Sequence, residues 1–222
     1  MITLTETLAV DTVDAFLTTE ETARLARAID EHIERTGWRP AYVGEELTAF
    51  PDGVQDTLTA ATLRHLPELR RTFPSVTGCS PWQFIQFTAG QGATRHMDGI
   101  GADPFARPRH VARVQVTVED AARGGEFFFE TTSSEEVWDP RFDGDHAPGY
   151  APGMRFTRIA PHDKVSHGTA DTAWIHRVHG NRWTTPAGPG TAVVYGAQLI
   201  HGVNAVAEGR TRRFITGLTA ED

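Results

Sequence analysis

Arg95-His96-Met97-Asp98-Gly99 is the stretch on which the reading of this chain turns, because it sets an imidazole and a carboxylate one residue apart. In extended backbone, side chains two positions apart project to one face, so His96 and Asp98 suit two neighbouring ligands of a divalent metal. A third ligand must come from elsewhere. The strongest candidate is His201, in Leu199-Ile200-His201-Gly202-Val203. Two imidazoles and one carboxylate on one side of an ion leave its other side open to further ligands.

Working outward, the segments around these residues carry strand patterns. Trp82 to Thr88 alternates apolar and polar groups, and the turn-rich Ala89-Gly90-Gln91-Gly92-Ala93 delivers the chain to His96. Gly99 to Pro104 reads as loop. Val111 to Val118 sets Arg113, Gln115 and Thr117 against Val114, Val116 and Val118, a strand with one core side and one wet or ligand-facing side. Arg123-Gly124-Gly125 turns into Glu126-Phe127-Phe128-Phe129, and Gly188 to Tyr195 is a turn and a strand that runs on through His201 to a last strand, Arg212 to Leu218. The first seventy-odd residues read as helical. Thr18 precedes Glu21 as an N-cap box does, Leu25, Ile29 and Ile33 recur at helical spacing, and Gly37 closes that helix. A second helical pattern runs from Val54 through Leu58 and Leu69 and ends before Pro74.

The expected fold class is therefore α+β, mainly β, with residues 1–80 as helical support packed on one sheet of a β core spanning 81–218. An irregular insertion, 130–186, carries Trp138, His146, Tyr150, His162, His167, Trp174, His176 and His179. It is too long for an ordinary loop and reads as a segment framing the site. Its last four histidines match no closed zinc spacing, and cysteine is absent from it.

Composition bounds the function. A chain of 222 residues suits one domain with one sizeable core, and no apolar run reaches the ~20 residues of a membrane span. The N-terminus lacks a basic segment followed by an apolar one, and Cys79 is the single cysteine, so the expectation is a cytoplasmic, disulfide-free protein. A net charge of −8 argues against a nucleic-acid partner. Oligomeric state is left open.

The ordered series Gln86-Phe87-Thr88-Ala89-Gly90, His96-Met97-Asp98, Gly124-Gly125-Glu126, Pro189-Gly190, His201-Gly202-Val203, Gly209 and Arg212 resembles the iron(II) and 2-oxoglutarate-dependent dioxygenases, particularly their prolyl 4-hydroxylase-like branch. The resemblance covers roughly Pro81 to Leu218. It implies a double-stranded β-helix, a jelly-roll or cupin-like core of two facing antiparallel sheets. It also implies Fe(II) held by His96, Asp98 and His201, with 2-oxoglutarate and O2 as co-substrates. The distal carboxylate of 2-oxoglutarate needs a cation, for which Arg210, Arg212 and Arg213 compete. Alignment with the closing strand of the family favours Arg212, with Thr216 on the same face and Gln86 on a pocket-lining strand. Arg213 would point the other way.

The implied reaction is hydroxylation of an unactivated C–H bond with succinate and CO2 as co-products. Members that chlorinate lack the metal-binding carboxylate, whereas Asp98 is present here. A chain without an added recognition domain favours a small-molecule substrate, a free amino acid or specialised metabolite. The acidic run Glu135, Glu136, Asp139, Asp143 and Asp145 could attract a cationic group on it. The alternatives are a peptidyl, prolyl-type hydroxylase and a non-catalytic metal-binding β-barrel protein.

Overall fold

Local signals near the N-terminus set the first elements of the computed structural model, which describes residues 1–99, 106–132, 149–154, 175, 179–185 and 187–221. A short helix α1 (Leu4–Leu8) is followed by strand β1 (Val10–Val13) and helices α2 (Thr19–Thr36) and α3 (Val54–Thr72). At the start of α2 the Thr18 hydroxyl accepts from the Glu21 backbone N–H, and the Glu21 carboxylate accepts the Thr18 N–H at 2.9 Å. Gly37 ends α2 in the left-handed conformation, φ 68°, which a residue without Cβ adopts at little cost. The helical reading of the N-terminal segment fails at β1, where Val10 to Val13 pair with residues 192–195 instead. Four residues are too few to display a period, and the partner strand lies far downstream.

Next come β2 (Gly78–Cys79), β3 (Gln83–Thr88), β4 (Ala93–His96), β5 (Arg109–Glu119), β6 (Arg123–Gly124) and β7 (Phe127–Thr132). The chain then forms β8 (Gly180–Thr185), β9 (Ala192–Gly196), β10 (Ile200–Val203), β11 (Val206–Glu208) and β12 (Arg210–Ala220). The larger sheet has the order β1-β9-β5-β12-β2, with β3 also paired to β12, and the smaller one the order β4-β10-β7-β8. Neighbours within both are antiparallel, and the two sheets form the jelly-roll expected from the sequence. The insertion boundaries shift inward, since β7 extends to Thr132 and Gly180 to Thr185 form β8. His146, His162, His167, His176, Trp138, Trp174 and the acidic run from Glu135 to Asp145 lie outside the described residues, while His179 is exposed. Among the described residues no helix is long and apolar enough to cross a membrane.

The larger sheet is covered on both faces. Its outer face packs under the helices: Leu25 and Ile29 of α2 and Leu58 and Leu69 of α3 share one core with Phe84, Val114, Val116, Phe214 and Leu218. Its inner face carries Ile85, Phe87, Arg113, Gln115, Arg213 and Ile215 toward the smaller sheet and a cavity between the two.

Candidate metal centre and co-substrate pocket

His96 ends β4, and His201 lies directly across from it on β10. Residues in direct register share a face, so the pairing alone brings the two imidazoles together, with ring centroids 4.3 Å apart. Gly202 keeps these strands close, because a Cβ there would lie 2.6 Å from the Ala93 carbonyl oxygen. Asp98 follows His96 by two residues. Its Oδ1 is 3.7 Å from His96 Nε2 and its Oδ2 is 3.5 Å from His201 Nε2. The ligand atoms of all three lie within 4.8 Å of one another, within the reach of one ion.

Protonation favours a metal as well. His96 Nδ1 is 2.8 Å from the Thr94 carbonyl and His201 Nδ1 is 2.9 Å from the Leu199 carbonyl. A carbonyl only accepts, so Nδ1 carries the proton in both rings and the Nε2 lone pairs face Asp98. Burial, helped by the neighbouring His201, pulls His96 down to about 4, although Asp98 opposes the shift. The ring is thus neutral near pH 7, as a metal ligand must be. These donors fit a divalent ion of the iron type: two imidazole nitrogens and a carboxylate.

Around the triad, Tyr195 lies 4.3 Å from His201 between ring centroids, and Phe127 stacks at 5.7 Å. Burial raises the Tyr195 phenol far above its ordinary value, so it is a neutral wall of the site. Arg113, on the ligand-facing side of β5 as its alternation predicts, places Nε 3.0 Å from Asp98 Oδ2. The Asp98 charge raises the pKa of this guanidinium. All of these residues line a cavity of about 700 Å³ together with Gln115, Arg213 and Glu46.

The co-substrate residues require a correction. Arg212, Thr216 and Gln86 do not face this cavity. In β12, Phe214 pairs with Phe84 on β3, their rings 5.5 Å apart, and Phe50 packs on Phe214 at 5.7 Å. This aromatic cluster belongs to the core beneath the helices, so alternation carries Arg212 and Thr216 to the helix side along with Phe214, and Gln86 with its partner Arg212. The Arg212 guanidinium is 2.9 Å from Asp30 of α2 and 3.1 Å from Glu119, which makes it a strut between helix and sheet. The Thr216 hydroxyl donates to the Ser80 carbonyl at 2.6 Å. Arg210 also pairs with Glu119, at 2.7 Å.

Arg213 takes the inward position. It is 4% exposed, donates to the Gly125 carbonyl and lies 3.4 Å from the Gln115 side-chain oxygen. Burial lowers its pKa to about 10. Among the described residues no carboxylate lies within ion-pair distance of it, and Asp120 and Glu126 act on this buried cation only at longer range. Its alternation was visible in the sequence, but the parity was not. By sequence, Tyr195 is an aromatic candidate for the pocket wall for which core packing is the stronger reading, and Glu46 carries no signal that separates it from an ordinary loop.

No family model and no curated protein sequence matches this chain. Solved structures do. The viral collagen prolyl hydroxylase vCPH of Paramecium bursaria Chlorella virus-1, in its 2-oxoglutarate complex, is 14% identical over 99% of both chains, with a TM-score of 0.57. The non-heme α-ketoglutarate-dependent carbocyclase SnoK from nogalamycin biosynthesis is 14% identical over 96% of this chain and 80% of its own, TM-score 0.59. HygX of Streptomyces hygroscopicus, with nickel and 2-oxoglutarate bound, is 10% identical over 97% of this chain and 84% of its own, TM-score 0.58. The chain therefore has the double-stranded β-helix fold of the iron(II) and 2-oxoglutarate-dependent oxygenases.

Proposed function

We propose that this protein is an iron(II) and 2-oxoglutarate-dependent oxygenase that hydroxylates an unactivated C–H bond of a small molecule, a free amino acid or specialised metabolite. The observation that carries the reading is the presence, in one cavity, of a His-Asp-His ligand set and a buried arginine with no carboxylate at ion-pair distance among the described residues. His96, Asp98 and His201 would hold the iron, which, once bound, supplies oxidation by O2 coupled to conversion of 2-oxoglutarate to succinate and CO2.

The chain's own residues have separate tasks. Arg213 would grip the distal carboxylate with parallel hydrogen bonds, Gln115 orienting its guanidinium. Arg113 holds one oxygen of Asp98 and so restricts how that carboxylate turns. Phe127 and Tyr195 shield His201 from water, which strengthens every polar contact inside. A peptidyl prolyl substrate is the second reading, favoured by the likeness to a collagen prolyl hydroxylase.

Anaerobic addition of iron(II) and 2-oxoglutarate is expected to produce a weak visible charge-transfer band, and a metabolite screen to reveal one compound that couples succinate release to a gain of one oxygen. His96→Ala and Asp98→Ala should each abolish succinate formation. A fully loaded protein without the band would favour a metal-binding barrel without turnover, and coupling to a proline-containing peptide would move the assignment to the peptidyl reading.

A further inference from the structure

Beyond its charged groups the cavity wall is mostly apolar, with Tyr42, Val43, Ile85, Phe87, Met97 and Val203. One acid interrupts it. Glu46 comes from the segment between α2 and α3, outside the β core. Its backbone is pinned in place because the adjacent Leu47 exchanges two hydrogen bonds with Phe84, of 2.8 and 2.9 Å. The Glu46 side chain is 31% exposed, and its Oε1 is 3.8 Å from Arg113 Nη1, too far for a hydrogen bond. Arg113 meanwhile commits Nε to Asp98 at 3.0 Å, and its Nη atoms make no hydrogen bond among the described residues.

An acid and a cation thus stand side by side at the cavity wall, close but not joined. Glu46 approaches Nη1 of the same guanidinium whose Nε meets Asp98. Burial raises the Glu46 pKa, Arg113 and a hydrogen bond from Gln83 oppose the rise and Asp98 adds to it, so with burial dominant a second positive group beside Glu46 would relieve the cost of its charge. The charges already present balance. An iron dication is offset by Asp98 and one end of 2-oxoglutarate, Arg213 by the other end, and Arg113 by Glu46. A ligand that keeps this balance has no net charge, and one that meets both Glu46 and Arg113 carries both signs.

Building on the oxygenase reading, we propose that the substrate is a free α-amino acid with an apolar side chain, its ammonium on Glu46 and its carboxylate on the Nη atoms of Arg113. The head group then lies one guanidinium away from Asp98, and the side chain runs along the apolar wall toward the metal. Oxidation at a side-chain carbon follows from this placement. Glu46 selects the substrate and takes no part in the oxidation.

The test is calorimetric titration of the anaerobic, iron- and 2-oxoglutarate-loaded protein with L-leucine, L-valine, L-phenylalanine and L-proline. Each is compared with its N-acetyl derivative, which lacks the cation, and its amide, which lacks the anion. At least one free amino acid should bind about tenfold tighter than either derivative, the loss expected when one charge-assisted contact is removed. Glu46→Gln should weaken the amino acid and its amide about tenfold and leave the N-acetyl compound unchanged, which also reports an intact cavity. Equal binding of all three forms, insensitivity of the amino acid to Glu46→Gln, or no binding of any of the four at millimolar concentration would overturn the proposal. The same titration of the iron-free protein separates this result from the oxygenase reading, which stands or falls on the charge-transfer band.

Discussion

Arg212 and Arg213 are neighbours with opposite fates, and their difference is decided by which face of β12 each occupies. Arg212 ties Asp30 and Glu119 together, whereas Arg213 is a buried cation at the cavity with its pKa lowered to about 10 by desolvation. Arg213→Gln is expected to raise the KM for 2-oxoglutarate about 10- to 100-fold, the loss of a charged bidentate contact. Arg212→Gln should leave that KM within about twofold but lower unfolding stability by about 2 kcal/mol, since it removes a buried guanidinium that lies over Phe84 and joins Glu119 to Asp30, Glu119 keeping Arg210 as its partner. Steady-state kinetics and urea denaturation of the two variants check this. The opposite pattern would return the anchor to Arg212. His96, Asp98 and His201 were legible because a one-residue spacing and a distant histidine survive any ambiguity of register. Arg213 was not, because both faces of β12 are buried and apolar alternation therefore carries no information about which face meets the cavity.

Among the elements, α2 is the one most completely written in local sequence, from the Thr18 box to the Gly37 stop. Tertiary structure adds one contact that the helix pattern could not foretell: Glu21 accepts from Arg64 of α3 at 2.9 and 3.0 Å. Chiefly through that hydrogen bond, and through Thr18, the Glu21 pKa falls from the usual 4.5 to about 2. A carboxyl depressed by folding stabilises above its unfolded value and ceases to do so as pH falls toward its folded value. Wild-type Tm is accordingly expected to drop between pH 4.5 and pH 2 by more than the Tm of Glu21→Gln. Parallel melting curves of the two across that range would refute the coupling. Strand β1 shows the reverse case: three of its four residues are β-branched, but so short a run becomes a strand only because β9 offers it an edge at Val10–Val13.

At the level of the molecule, the helices and the smaller sheet enclose the larger sheet from either side, and the candidate metal centre lies at β4 and β10 of the smaller one. Ligands that bind only the folded chain stabilise it by mass action, about 2.7 kcal/mol at one hundred times the Kd. Manganese(II) with 2-oxoglutarate, used as a redox-stable pair, should raise the Tm by roughly 5–10 °C, a chelator should reverse the rise, and His201→Ala should abolish it. An unchanged Tm at saturating concentrations in calorimetry would contradict a site shared by the two. Read along the chain, short-range chemistry pointed to the mainly β class, the capped helices, the alternation of β5 and three candidate ligand side chains, His96, Asp98 and His201, since capping, periodicity and ligand type are local properties. The direction in which β12 faces, the strut made by Arg212, the inward turn of Arg213 and the nearness of Glu46 to Arg113 arose only when distant segments packed. A strand buried on both sides has no preferred face until its neighbours choose one.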